Sequence, residues 1–189
     1  RHHGAIPGAK ALILVLYVYF LTIYPYCNAI RGVTTMQGVR VYEIPDCKMV
    51  SSGVGMFGQE KFENFAAWFS ALPRGIFPKD FLFWDDGSYS CSDNSGGPGL
   101  HWLYLYEPGM DVPQDYRVID FKGGLYAVAT DVDQKTDMDA LNAQVDQFLS
   151  ENGLERDPSR PELGNVITPP LAQKAMGYEQ MDYYSPIHV

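Results

Sequence analysis

A carboxylate set among tyrosines is the residue pattern in this chain with the clearest chemical use. The segment His101–Glu107 reads His-Trp-Leu-Tyr-Leu-Tyr-Glu, and Met181–Ile187 reads Met-Asp-Tyr-Tyr-Ser-Pro-Ile. Both alternate as strands do, sending successive side chains to opposite faces of a sheet. In the first segment Leu103 and Leu105 are expected to pack under helices, which places Trp102, Tyr104 and Tyr106 on the other face. In the second, Met181, Tyr183, Ser185 and Ile187 form one row, and Asp182 and Tyr184 form the other. Asp182 beside Tyr104, Tyr106 and Tyr184 would be a carboxylate inside an aromatic box, suited to a delocalised or tertiary cation through charge pairing and cation–π contact. The same alternation also fits a solvated strand acid and a tyrosine face with its hydroxyls in water. Three flanking residues carry the same two-way reading. Trp68 packs at a helix edge or meets a ligand, Glu107 beside Pro108 is a rim acid, and Tyr178 with Glu179 closes a cleft mouth or serves only as loop.

Composition narrows the chemistry. The chain carries 14 Lys and Arg against 23 Asp and Glu, and its net charge of −9 repels a phosphate backbone, so nucleic acid is not expected as a direct partner. Cys27, Cys47 and Cys91 are an odd number with no CxxC spacing, which suggests neither a disulfide framework nor a zinc site and fits a reducing, cytoplasmic setting. No cofactor is implied. The 13 Tyr, 10 Phe and 3 Trp supply flat amphipathic surface for stacking against a ligand, or for a tyrosine-rich core.

The elements that must position these residues follow from hydrophobic period. In a chain of 189 residues one main core is expected. Val39 to Met56 reads as a strand or bent strand pair punctuated by Pro45, Gly53 and Gly55. Glu60 to Leu72 places Phe62, Phe65, Ala66 and Phe69 on one helical face. Strands Asp80–Trp84 and Leu100–Glu107 follow, around the turn-rich loop Asp85–Gly99. Tyr116–Asp131 is a strand pair bent at Gly123-Gly124, and Asp137–Asn152 is a helix with Met138, Leu141, Val145, Phe148 and Leu149 on one face. Thr136 or Asp137 caps its start, Gly153 stops it, and strands Glu162–Thr168 and Tyr178–Ile187 surround Pro169-Pro170. The order strand-helix-strand-strand thus occurs twice, which predicts an α+β fold with duplicated units in one antiparallel sheet and both helices on one face.

Residues 1–35 stand apart, because Ala11–Tyr24 is almost wholly apolar yet shorter than a membrane span needs. An appended extension, a secretory signal and an oligomerising arm all fit it, with the domain proper expected over residues 36–189.

Five pieces of this sequence resemble the GyrI-like small-molecule-binding domains, which also occur as effector-binding domains of AraC-type and multidrug-responsive transcription regulators. They are Val39-Arg40-Val41-Tyr42-Glu43-Ile44-Pro45, Phe65-Ala66-Ala67-Trp68-Phe69, Tyr104-Leu105-Tyr106, Phe121-Lys122-Gly123-Gly124-Leu125-Tyr126-Ala127-Val128, and Met181-Asp182-Tyr183-Tyr184-Ser185-Pro186-Ile187. The resemblance implies a ligand cleft on a pseudo-twofold axis, with Tyr126 among its contacts, and an acid on the last strand that pairs with cationic ligands. That role falls on Asp182, where the family usually has the longer Glu. Residues 1–37 lack the length and the basic helix of a helix-turn-helix, so a sequestering or sensing module is expected, with a homo-oligomer or a regulator protein as further partners. A hydrolase of electrophilic small molecules is the alternative, and it would need a second acid such as Glu107 or Glu179 near Asp182. A haem or metal site ranks last, because His101 is the only histidine inside an expected strand.

Overall fold

Two connections of a few residues govern how this chain folds. In the computed structural model, which describes residues 38–73, 79–86 and 98–189, strand β1 (Arg40–Ile44) is followed at once by β2 (Cys47–Gly55), and β5 (Arg117–Phe121) at once by β6 (Gly124–Val132). Neither pair forms a hairpin. Between them lie helix α1 (Glu60–Ser70), β3 (Asp80–Asp85) and β4 (Gly99–Leu105). After β6 come α2 (Met138–Asn152), β7 (Glu155–Arg156), β8 (Leu163–Val166), α3 (Pro170–Met176) and β9 (Gln180–His188). All nine strands join one antiparallel sheet in the order β1-β6-β9-β8-β3-β4-β2-β5, with β7 beside β9. The α+β class follows directly, with three helices among the described residues.

In that order β1 and β2 stand six strands apart, as do β5 and β6, which in a flat sheet would separate them by about 29 Å. Only Pro45 and Asp46 join the first pair, and Lys122 and Gly123 the second, a reach of about 11 Å each. The sheet must therefore curl until its ends meet. The two connections touch where they cross. Gly123 N–H donates to Asp46 Oδ1 at 2.8 Å, and a Cβ on Gly123 would lie 2.0 Å from the Ile44 carbonyl oxygen. This close approach is why the bend read at Gly123-Gly124 needs glycine.

Helices α1 and α2 cover one face. Cross-strand partners point to the same side, and the row Trp102, Leu82, Gly164, Tyr183, Ala129 runs across five strands. Helix α1 packs on the Trp102 end, and Leu141, Val145 and Leu149 of α2 pack with Ala127, Ala129 and Ile187 at the other. The helical spacings do what they predicted: Phe62 and Phe65 are fully buried, each contributing about 1.5–3 kcal/mol of transfer free energy. Asp137 caps α2 by accepting from Ala140 N at 3.1 Å, and Gly153 ends it in the left-handed region at φ 66°.

The opposite face is the inside of the curl. Its cluster joins residues from both ends of the sheet: Met49 and Phe121 on one side, Tyr126, Val128 and Tyr184 on the other, with Phe83, Leu103 and Leu163 between. Strand β7 and helix α3 were not expected from sequence; Pro170 opens α3 at its first turn, where a missing N–H costs nothing. The apolar segment before residue 36 and most of the loop Asp85–Gly99 lie outside the described residues. Among the described residues no helix is long and apolar enough to cross a membrane.

Arg160 ties the second connection to the rest. Its buried guanidinium donates to the carbonyls of Gly123, Leu125 and Ile187 and pairs with Asp157 at 2.8 Å. Hydrogen bonds from the Ser159 hydroxyl and from Arg160 hold the Asp157 carboxyl well below the usual carboxylate range. Arg160→Met should lower unfolding free energy in urea by about 3–5 kcal/mol, because it strands three carbonyls and leaves Asp157 with Ser159 alone. A loss below about 1 kcal/mol would mean that these groups find other partners.

Candidate functional site

The sequence places Asp182 on a strand with eight expected neighbours, and the structure divides those neighbours between the two faces. Trp102, Tyr104 and Tyr106 belong to the helix side, packed with Phe65, Trp68, Phe69 and Leu72, while Leu103 and Leu105 face inward. This reverses the facing expected for β4. Both of its faces are buried, so apolarity does not choose between them, and α1 offers aromatic rings that match an aromatic row: Phe69 stacks on Tyr104 at 5.2 Å and 19°. Trp68 sits at the helix edge, its Nε1–H donating to Asp111 O at 3.2 Å. Glu107 pairs with Lys79 beside Tyr104, around a hollow of about 360 Å³ on that side. Tyr178 and Glu179 line another hollow with Asp133 and Lys135. None of these residues is brought to the inner-face ring of aromatics around Asp182.

Asp182, Tyr184 and Tyr126 do share the inner face, as the alternation of β9 predicts. Asp182 is 4% exposed. Its Oδ1 receives the Thr130 hydroxyl and Arg40 Nη2, the latter at 2.7 Å. Arg40 also donates from Nη2 to Thr130 Oγ1 at 2.8 Å and from Nη1 to the Tyr42 hydroxyl at 3.2 Å. Three tyrosine rings line this corner: Tyr42 and Tyr126 lie 6.5 and 6.2 Å from Tyr184, and Phe81 meets Tyr184 edge-on at 5.4 Å. Asn165, paired with Asp182 across β8 and β9, is buried there, and its Oδ1 has no hydrogen-bond partner. The corner thus combines a desolvated carboxylate, aromatic rings and an amide with unused capacity, the ingredients for orienting a small polar-headed molecule.

Sequence reasoning missed Arg40, Tyr42, Thr130 and Asn165. The signal was present in Val39-Arg40-Val41-Tyr42, where Arg40 and Tyr42 alternate onto one face of β1, but their partners stand 142 residues away in the chain. It also missed a second polar group on the inner face. His101 Nδ1 lies 3.3 Å from Ser51 Oγ and Nε2 lies 3.2 Å from Asp85 Oδ2, with the Phe83 ring stacked on the imidazole. All three are buried. Among the described residues no group of three or more His, Cys, Asp and Glu is arranged to hold a metal ion.

No family model matches the chain, and no curated protein matches it in sequence. Solved structures do. A hydrolase from Listeria innocua has a TM-score of 0.56 at 11% identity, over 85% of this chain and 97% of its own. An uncharacterized conserved protein from Listeria innocua has a TM-score of 0.55 at 11% identity, over 80% of this chain and 93% of its own. The EcmrR C-terminal domain has a TM-score of 0.51 at 10% identity, over 79% of this chain and 96% of its own. At these identities the likeness establishes a shared fold.

Burial pushes the phenols of Tyr126 and Tyr184 up to about 12, against an ordinary 10.0; Asp182 adds to the rise at Tyr184, and Arg160 opposes it at Tyr126. The folded chain keeps both protons after the unfolded chain has lost them. Their contribution is therefore whole below pH 10 and is lost as pH rises through about 12. Two units correspond to about 3 kcal/mol per tyrosine. Unfolding free energy measured from pH 9 to 12 should fall less steeply in Tyr126→Phe and Tyr184→Phe than in the wild type; parallel curves would mean that neither phenol is shielded.

Proposed function

We propose that this chain is a small-molecule-binding module of the GyrI-like kind, taking aromatic or cationic amphiphilic ligands on the inner face of its sheet. The observation that carries this reading is a carboxylate, Asp182, held out of water on the row of Tyr184, whose ring leads on to those of Tyr42 and Tyr126. A positive, flat ligand is what such a corner attracts most, since it meets the carboxylate by charge and the rings by cation–π contact. Tyr126 and Tyr184 supply apolar surface as well as rings.

The strand order supports a duplicated origin. It reads alike from both ends, β1-β6-β9-β8 against β5-β2-β4-β3, with a helix following β2 and β6 in the chain. A pseudo-twofold axis would then pass between β3 and β8, and the inner face would cross it, the location at which a cleft shared by two repeats forms. The module would act by sensing or sequestering its ligand in the cytoplasm, passing the bound state to a partner regulator protein. Two similar structures, both from Listeria innocua, are described as hydrolases. The paired carboxylates such chemistry would require here are not assembled from the expected residues, since Glu107 is engaged by Lys79 on the helix side.

Phenyltrimethylammonium and its neutral isostere tert-butylbenzene separate charge from shape. By calorimetry, Asp182→Asn should weaken the cation about tenfold to a hundredfold while leaving the neutral compound nearly unchanged, as expected for loss of a partly desolvated ion pair. Equal losses for both compounds, or none for either, would reject a carboxylate-centred cation site.

A further inference from the structure

We infer that Arg40 is a resident occupant of the Asp182 corner, a built-in stand-in that a cationic ligand must displace; this rests on the reading that the corner takes cations. Arg40 already makes the contacts such a ligand would make. Its Nη2 pairs with Asp182 at 2.7 Å, and its guanidinium carbon lies 5.2 Å from the centre of the Tyr42 ring. One side chain thus fills both the charge and the cation–π position.

The pair is lopsided in a way that favours exchange. The Arg40 side chain is 38% exposed and that of Asp182 only 5%. Arg40 can swing into water and rehydrate, whereas Asp182 cannot leave and would stand uncompensated without a cation. An incoming cation restores what Arg40 removes. Thr130 keeps its hydrogen bond to Asp182 throughout, so the carboxylate holds its orientation during the swap. Arg40 also opens β1, an end strand of the sheet order whose only strand partner among the described residues is β6.

Two consequences follow. The apparent affinity for a cation equals the intrinsic affinity scaled by the fraction of molecules whose Arg40 is out. Neutral aromatics, which offer Asp182 nothing, do not displace it. Arg40 therefore sets a threshold that selects cations able to replace both of its contacts.

The test uses phenyltrimethylammonium and tert-butylbenzene with the whole chain. Arg40→Gln should bind the cation about fivefold to tenfold more tightly than the wild type, with tert-butylbenzene unchanged, and the gain should vanish in Arg40→Gln combined with Asp182→Asn. In the wild type, phenylglyoxal modification of Arg40, located by peptide mass spectrometry, should speed up when the cation is added. If Arg40→Gln binds no more tightly and modification is unchanged or slowed, while Asp182→Asn still weakens the cation, Arg40 is no competitor and the cation site stands. If neither wild type nor Arg40→Gln binds the cation, both the site and its occupant are rejected.

Discussion

The crossing of two short connections is the constraint from which the rest of the molecule follows. Ile44 and Cys47 belong to strands six places apart in the sheet, and so do Phe121 and Gly124, yet each pair is bridged by two residues. Such a sheet cannot lie flat. It closes toward the face opposite α1 and α2, and at the crossing Gly123 lies so near the Ile44–Pro45 backbone that any side chain there would collide. Arg160 secures the same region through the Gly123 and Leu125 carbonyls and by stacking over Tyr126 at 4.8 Å. The crossing therefore creates the inner face and fixes which side chains meet on it.

Burying a sheet face places strict demands on its polar residues, since an uncompensated group there costs several kcal/mol. The structure meets most of them in two groups, with Asn165 Oδ1 left unpartnered. In one half Asp182 is answered by Arg40 and Thr130, and in the other Asp85, His101 and Ser51 form a chain. The register gives these groups matching addresses: Trp102 and Tyr183 lie in the same cross-sheet row through Leu82 and Gly164, so His101 and Asp182 each stand one residue before it. The half with His101 is closed by stacking on Phe83, while the half with Asp182 opens to solvent at Arg40. This difference in exposure, more than any difference in charge, is why the proposed ligand site is put at the Asp182 corner.

Much of the scaffold was legible in the sequence because it depends on local chemistry. The spacing of Phe62, Phe65 and Phe69, the cap at Asp137 and the stop at Gly153 each act within a few residues, and each lies where the sequence placed it. The row of Asp182 and Tyr184 was legible for the same reason, since Met181, Tyr183 and Ile187 set the opposite parity. The facing of Trp102, Tyr104 and Tyr106 was not. Alternation separates a wet face from a dry one, but β4 is covered on both sides, and only α1 decides which row is aromatic. Arg40 was illegible for a different reason: an arginine at the start of an end strand resembles a surface charge until the pairing of β1 with β6, and of β6 with β9, brings it within reach of Asp182. β7 escaped because it has only two residues, and α3 because none of its residues is buried, so neither leaves a hydrophobic period to read.

The central claim is that ligand recognition belongs to the inner face at Asp182 and not to the aromatic row under α1. Titrating isotopically labelled chain with phenyltrimethylammonium and following NMR resonances residue by residue tests it most directly. The account predicts saturable shifts at Arg40, Tyr42, Thr130, Asn165, Asp182 and Tyr184, with Trp68, Trp102 and Tyr104 unmoved. Shifts concentrated at Trp68, Tyr104 and Glu107, with the Asp182 corner silent, would contradict it.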